Sequence, residues 1–301
     1  MVIRKVIRRL LGKKQEVACP PIFDIPHNTS RLVFGDSVFL RVSRGDEDKS
    51  SLLKMLTSSR LESSEKTFVF AYSALALPHY LLYLLQIGQR IGSLDKIVIP
   101  VNYRSFSRQW EANSNWQYFD SMSLLNASLG DSKVNMNSIF DSGAYGSSRA
   151  IYSHYGERES NFFLSNLARK SEEVDAILEK RKMGFAFNYL FDKETLISSK
   201  RLNAIDLIND KFSNFSEKFC FVVLPINFEG ICFLHGNEAM VHIRENLDLI
   251  CEKLSCRGLK VLDCTTKVDR FGFFNELEST EHLNELGRAI LFDEIASVLK
   301  N

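Results

Sequence analysis

Paired cysteines are the first absence. Cys19, Cys220, Cys232, Cys251, Cys256 and Cys264 form no CxxC pair, and a zinc ribbon needs such pairs. Several lie in apolar runs such as FCFVVL and ICFL, where a free cysteine behaves as a small hydrophobe. Reduced thiols of this kind point to a cytosolic compartment. A dominant charge is also missing. Lys and Arg number 38 against 37 Asp and Glu, a net charge of +1. No basic stripe interleaves with aromatics, so nucleic acid is not an expected partner. No apolar run is long enough for a secretory core or a membrane span. The chain has no phosphate-binding glycine loop, no spacing that would hold a metal, and no internal repeat. Tryptophan is scarce, at two residues, whereas phenylalanine is abundant, at 23. That abundance implies a large core or an apolar groove.

What is present is organised along the chain. Residues 1–18 begin MVIRKVIRRLLGKKQ. Val2, Ile3, Val6, Ile7, Leu10 and Leu11 repeat at helical spacing, and Arg4, Lys5, Arg8, Arg9, Lys13 and Lys14 fill the other face. A basic amphipathic helix of this type fits an anionic inner leaflet, through residues 2–14, or a partner surface. Residues 19–30, CPPIFDIPHNTS, form a Pro-rich linker.

From residue 31 short β-rich runs alternate with helical patterns. The runs are RLVFG (31–35), TFVFAY (67–72), KIVIPV (96–101), FCFVVLPIN (219–227) and LKVLDC (259–264). Helical patterns follow at Leu75 to Ile91, about Glu238 to Leu254, and Leu283 to Leu299. Continuous apolar strands alternating with helices predict an α/β fold, a five-stranded parallel sheet in a three-layer α/β/α arrangement. Residues 31–301 would form this domain. The stretch from about 103 to 218 breaks the rhythm and reads as a helical and aromatic insertion over the strand ends.

Sites in such sheets gather at the carboxyl ends of the strands. There the chain offers Gly35-Asp36-Ser37, Ala71-Tyr72-Ser73, Pro100-Val101-Asn102 and Pro225-Ile226-Asn227. A serine after a buried strand can attack an acyl carbon if a base takes its proton. Of six histidines, His282 in TEHLNELGRAILFDEIASVL enters the last amphipathic helix. Gly-Asp-Ser is also ordinary turn composition. Asn227 is a further candidate for oxyanion or substrate binding, with a turn before Glu229-Gly230 as the alternative, and His79, after a proline, fits a surface or capping position. Arg104 could read an anionic group or hold the insertion. Trp110 and Trp116 fit packing within the insertion.

FGDSV near the start and HLNELGR near the end resemble the SGNH (GDSL-type) hydrolases over about residues 31–299. The resemblance implies a flavodoxin-like sheet, Ser37 as nucleophile and His282 as base. It implies oxyanion donors at the Ser37 N–H, at a backbone N–H near Ser73 and at the Asn102 side chain. The family glycine after the second strand is not at Tyr72-Ser73, and of its G-x-N-D block the asparagine is kept. The family acid lies three residues before the histidine, where this chain has Ser279. Glu278 or a backbone carbonyl would then orient His282, with Glu281 and Asp269 also near in sequence.

VLPINFEG, NEAMVHIRENLDLICEKL and HLNELGR are similar to the surface-glycan acyl esterase and acyltransferase branch, the D-alanyl-transfer-protein-like members. This implies acyl-ester chemistry on a bacterial surface polysaccharide or its precursor, by an esterase or an O-acyltransferase. No cofactor is implied, and an acyl donor such as acetyl-CoA is needed only by the transferase. The expected location is cytoplasmic, at the inner membrane face. The alternative is a non-catalytic glycan-binding or assembly protein on the same scaffold.

Overall fold

The computed structural model describes residues 24–58, 61, 66–112, 118–140, 186, 188–256, 258–274 and 281–300. The basic segment 2–14, most of the linker, and Trp116 and Glu278 lie outside the described residues. In chain order the elements are β1 (Arg31–Gly35), α1 (Ser37–Leu40), α2 (Leu52–Leu56), β2 (Thr67–Ala71), α3 (Leu77–Ile87), β3 (Lys96–Val101), α4 (Arg108–Ala112), α5 (Phe119–Ala127), α6 (Met136–Ile139), α7 (Lys193–Ile197), α8 (Lys200–Phe212), β4 (Phe219–Val223), α9 (Phe228–His235), α10 (Asn237–Ser255), β5 (Lys260–Asp263) and α11 (Glu285–Lys300).

The five strands form one parallel sheet in the order β2-β1-β3-β4-β5. This is the flavodoxin-like order, whose switch point lies between β1 and β3. Strand residues alternate between two cores. Leu32 and Phe34 of β1, Ile97, Ile99 and Val101 of β3, and Phe219, Phe221 and Val223 of β4 face one core. Val33, Val98, Cys220 and Val222 face the other. The first core is closed by α3, α8 and α10, through residues such as Tyr80, Ile205, Ile208, Ile243 and Ile250. The second is closed by α1, α2 and α11, through Phe39, Leu52, Leu56, Leu291 and Ile295. Burial on both faces is why these strands read as continuous apolar runs.

Within the 103–218 stretch, α8 buries Ala204, Ile205 and Ile208 in the first core. Parallel β3 and β4 require a crossover connection, and α8 belongs to that crossover. β4 ends at Val223 rather than continuing to Asn227, because Leu224 leads into Pro225, which has no N–H for a ladder. Among the described residues no helix is long and apolar enough to cross a membrane.

Two features set the geometry at the switch point. β1 pairs with β3 only from Arg31–Lys96 to Val33–Val98. Pairing stops two residues before Pro100, whose missing N–H ends the ladder, and the two strand ends part there. Gly35 is required by crowding. A Cβ on it would stand 2.6 Å from Phe39 Cγ and 2.8 Å from Ala71 Cβ. The glycine therefore serves close packing of α1 and β2 rather than an unusual backbone angle.

Candidate active site

Asp36 begins the site. It is buried, and its side chain caps α1, with Oδ1 accepting from Val38 N at 2.8 Å. A carboxylate at this position satisfies an otherwise orphaned helix N–H. The other oxygen, Oδ2, accepts from Asn102 Nδ2 at 3.0 Å. One hydrogen bond thus bridges the gap between the ends of β1 and β3. Burial pushes the Asp36 carboxyl up, against the two hydrogen bonds that favour its charged form. Asn102 Oδ1 accepts from Arg104 N at 3.2 Å and starts the turn Tyr103–Phe106.

Ser37 is the first residue of α1 and is buried. It lines a narrow cleft with Asp36, Ala74, Leu75, Asn102, Arg104, Ser105 and Trp110. Ala74 has φ of 65°, a left-handed backbone that glycine adopts without cost and alanine does not. It sits one residue beyond Ser73. The sequence offers Ala71-Tyr72-Ser73 after β2, and the left-handed position falls one residue later, at Ala74. Ser73 is exposed, and its carbonyl accepts from Tyr118 Oη at 2.7 Å, which pins the loop. Among the described residues no acceptor takes the Ser37 or Ala74 N–H. These two backbone N–H groups stand at one rim with the Asn102 side-chain amide.

Arg104 lies with its guanidinium 4.3 Å over the Trp110 ring. It forms an ion pair with Glu281. Glu281 Oε2 also accepts from Tyr189 Oη at 2.5 Å. Burial opposes the Glu281 charge, but Arg104, then His282 and the Tyr189 hydroxyl outweigh it, so the carboxyl stays below the usual range. Glu281 Oε1 is 3.8 Å from His282 Nε2. His282 is 8% exposed, and its ring packs on Phe274 with centroids 5.6 Å apart. Burial, reinforced by Arg41 and Arg104 and opposed by Glu281, lowers the imidazole to about 4. It is therefore a neutral proton acceptor at pH 7.

The motif around His282 is a lock. Asn284 caps α11 through Leu286 N at 3.0 Å and Gly287 N at 3.2 Å. Its amide donates to the Phe271 and Phe273 carbonyls at 2.5 and 3.1 Å. A Cβ on Gly287 would stand 2.1 Å from Gly272 O, so the loop and helix touch backbone to backbone. Arg288 is buried; it pairs with Asp46 at 2.7 Å and donates to the Ser50, Leu283 and Asp48 carbonyls at 2.9, 3.0 and 2.9 Å. These bonds fasten the segment after α1 to the helix that follows His282.

A second lock holds the Arg104 turn. Arg201, fully buried, donates through Nε to Ser105 O at 3.1 Å and through Nη2 to Trp110 O at 3.4 Å. Its backbone N donates to Glu111 Oε1 at 3.3 Å, which also accepts from Ser199 Oγ.

The fold thus brings Ser37, Asn102 and Arg104 to one pocket and sets His282 beside Glu281, which touches Arg104. Among the described residues no hydrogen bond joins Ser37 Oγ to His282, which is not a lining residue of the pocket. Asn227 caps α9, accepting from Gly230 N at 2.9 Å, and does not line the pocket. His79 is a capping residue, buried rather than at the surface; its Nδ1 accepts from Ala76 N at 3.0 Å. Glu281 and Tyr189 are the residues that sequence spacing did not single out. Among the described residues no group of three His, Cys, Asp or Glu side chains is placed to hold a metal.

The sheet order and the two flanking helical layers define a three-layer α/β/α protein of flavodoxin-like topology. No family model and no curated protein matches the chain. Among solved structures it is similar to a lipase/acylhydrolase from Enterococcus faecalis, at 11% identity and TM-score 0.38, covering 90% of this chain and 96% of that one. It is also similar to an α/β hydrolase from the metagenome of Lake Arreo, at 10% identity and TM-score 0.39, covering 90% and 96%. An M. smegmatis aryl esterase, in its inhibitor-bound form, matches at 12% identity and TM-score 0.39, covering 90% and 98%. Likenesses this low carry no argument about the chemistry of this chain.

Proposed function

We propose that the chain is a serine-dependent acyl-ester enzyme, an esterase or an O-acyltransferase. The observation that carries this reading is Ser37, set by the Asp36 cap at the crevice between β1 and β3 with Asn102 beside it. Ser37 Oγ forms a bond to the acyl carbon as its proton passes to His282. The negative oxygen is met by backbone N–H groups at Ser37 and Ala74 and by Asn102. Collapse breaks the ester C–O bond, and the His282 proton leaves with the alcohol. Water, or a sugar hydroxyl, then attacks the acyl-serine and gives its proton to His282, which returns it to Ser37 Oγ.

The acceptor reading, a bacterial surface polysaccharide or its precursor, rests on the sequence resemblance. It extends to a glycan partner, to a donor such as acetyl-CoA for the transferase, and to work at the cytoplasmic membrane face through residues 2–14. A non-catalytic glycan-binding protein is favoured by one observation, the unmade hydrogen bond between Ser37 and His282. Catalytic hydrogen bonds are often long before substrate binds, so the enzyme reading leads.

Turnover of p-nitrophenyl acetate separates the two. Wild type should hydrolyse it, and Ser37→Ala and His282→Ala should each lose about 100-fold or more. Wild type no faster than Ser37→Ala would exclude the esterase.

A further inference from the structure

Glu281 occupies a position that neither composition nor motif spacing explains. A carboxylate so deeply buried is costly unless its charge is matched and its oxygens bonded. Glu281 meets both conditions: Arg104 is its ion-pair partner, and Tyr189 donates to Oε2 at 2.5 Å. Tyr189 stacks on Tyr103, with centroids 6.4 Å apart, and Tyr103 stacks on Phe191 at 4.8 Å. Tyr103 Oη accepts from Asn246 Nδ2 at 3.0 Å, and the same amide donates to Phe191 O at 2.8 Å. Arg104 is held by Trp110 and by the turn that Arg201 braces. Glu281 is therefore clamped from α10, from the segment before α7 and from the β3 turn. Its Oε1, the oxygen that Arg104 Nη2 holds, is 3.8 Å from His282 Nε2.

We propose that Glu281 is the positioning residue for His282, with Arg104 and Tyr189 fixing its carboxylate, and that Arg104 serves this clamp rather than an anionic substrate group. The inference rests on the acyl-ester reading of Ser37 and His282. It puts the stabilising charge at the residue beside the histidine, in place of Glu278. A carboxylate held against the imidazole stabilises the imidazolium that forms when Ser37 gives up its proton. The charges acting on His282 are Glu281, Arg41 and Arg104; those acting on Glu281 are Arg104 and His282, with the Tyr189 hydroxyl hydrogen-bonded to it.

The test uses the full chain and two readouts. The first is the pH profile of kcat/KM on p-nitrophenyl acetate. The second is NMR titration of the His282 imidazole, assigned with His282→Gln. Glu281→Gln should lower kcat about tenfold or more with KM little changed, and Glu281→Asp should recover part of it. Glu281→Gln should move the His282 titration down, and Arg104→Met should move it up, because the two remove charges of opposite sign. Arg104→Lys should restore the wild-type position. Should Glu281→Gln or Arg104→Met fail to fold, the charge-preserving Glu281→Asp and Arg104→Lys carry the comparison. Glu281→Asp should lower kcat with KM little changed, and Arg104→Lys should leave the His282 titration at its wild-type position.

Shifts in the same direction for both charge removals, or none, overturn the proposal. So does a Glu278→Gln variant that reproduces the loss while Glu281→Gln does not. If wild type has no esterase activity the esterase reading fails, but the imidazole titration still decides whether Glu281 and Arg104 act on His282.

Discussion

Gly35 marks how tightly the surroundings of Ser37 are packed. An alanine there would place a Cβ 2.6 Å from Phe39 Cγ and 2.8 Å from Ala71 Cβ, so α1 or β2 must shift. Gly35→Ala should destabilise the fold by about 1–3 kcal/mol, read as a lower urea midpoint. His282 gives a second consequence at this scale. Burial lowers its imidazole to about 4, from about 6.5 in an unfolded chain. The depressed value means that its contribution to stability is present above the unfolded pKa and lost as pH falls through about 4. The acid limb of kcat/KM should therefore lie near 4 rather than near 6.5, measured on p-nitrophenyl acetate over about pH 3.5–8. Ser37, Asn102 and Arg104 were legible because small and polar residues closing an apolar strand stand out. Glu281 was less so, because the spacing rule looks three residues before the histidine, to Ser279, and says nothing of its neighbour. Tyr189 left no signal, since its role comes from a contact 92 positions away in sequence.

At the scale of elements, HLNELGR does more structural than chemical work. Asn284, Gly287 and Arg288 fix α11 to the loop at Phe271–Phe273 and to the segment after α1. Arg288 and Asp46 are 1% and 3% exposed. Removing one partner leaves a buried charge unmatched. Arg288→Met should cost about 3–5 kcal/mol by denaturant unfolding, and adding Asp46→Leu should recover part of it. The strands were readable within a residue or so at most ends because both faces are apolar. The exception, β4, runs past its end in the sequence pattern, since Leu224 and Ile226 remain apolar and buried after the ladder stops. His79 was read by its place after a proline, which gives the cap but not the depth of the helix start.

Across the whole molecule, the strand order reverses between β1 and β3 of the parallel sheet, and the pocket lies at that switch point. Parallel topology follows from strand-helix alternation, so the location of the crevice was legible. The use of α8 as a crossover helix was not, because its apolar face is hidden within a long polar and aromatic stretch. The relation between Ser37 and His282 is the central claim, and it depends on the two ends of the chain meeting through Arg288 and Asp46. The most direct measurement is labelling of the full chain with a fluorophosphonate probe, followed by intact mass and peptide mapping. A single adduct on Ser37, absent in Ser37→Ala and slowed in His282→Ala, is the predicted result. No adduct, or one that persists unchanged in Ser37→Ala, would contradict it.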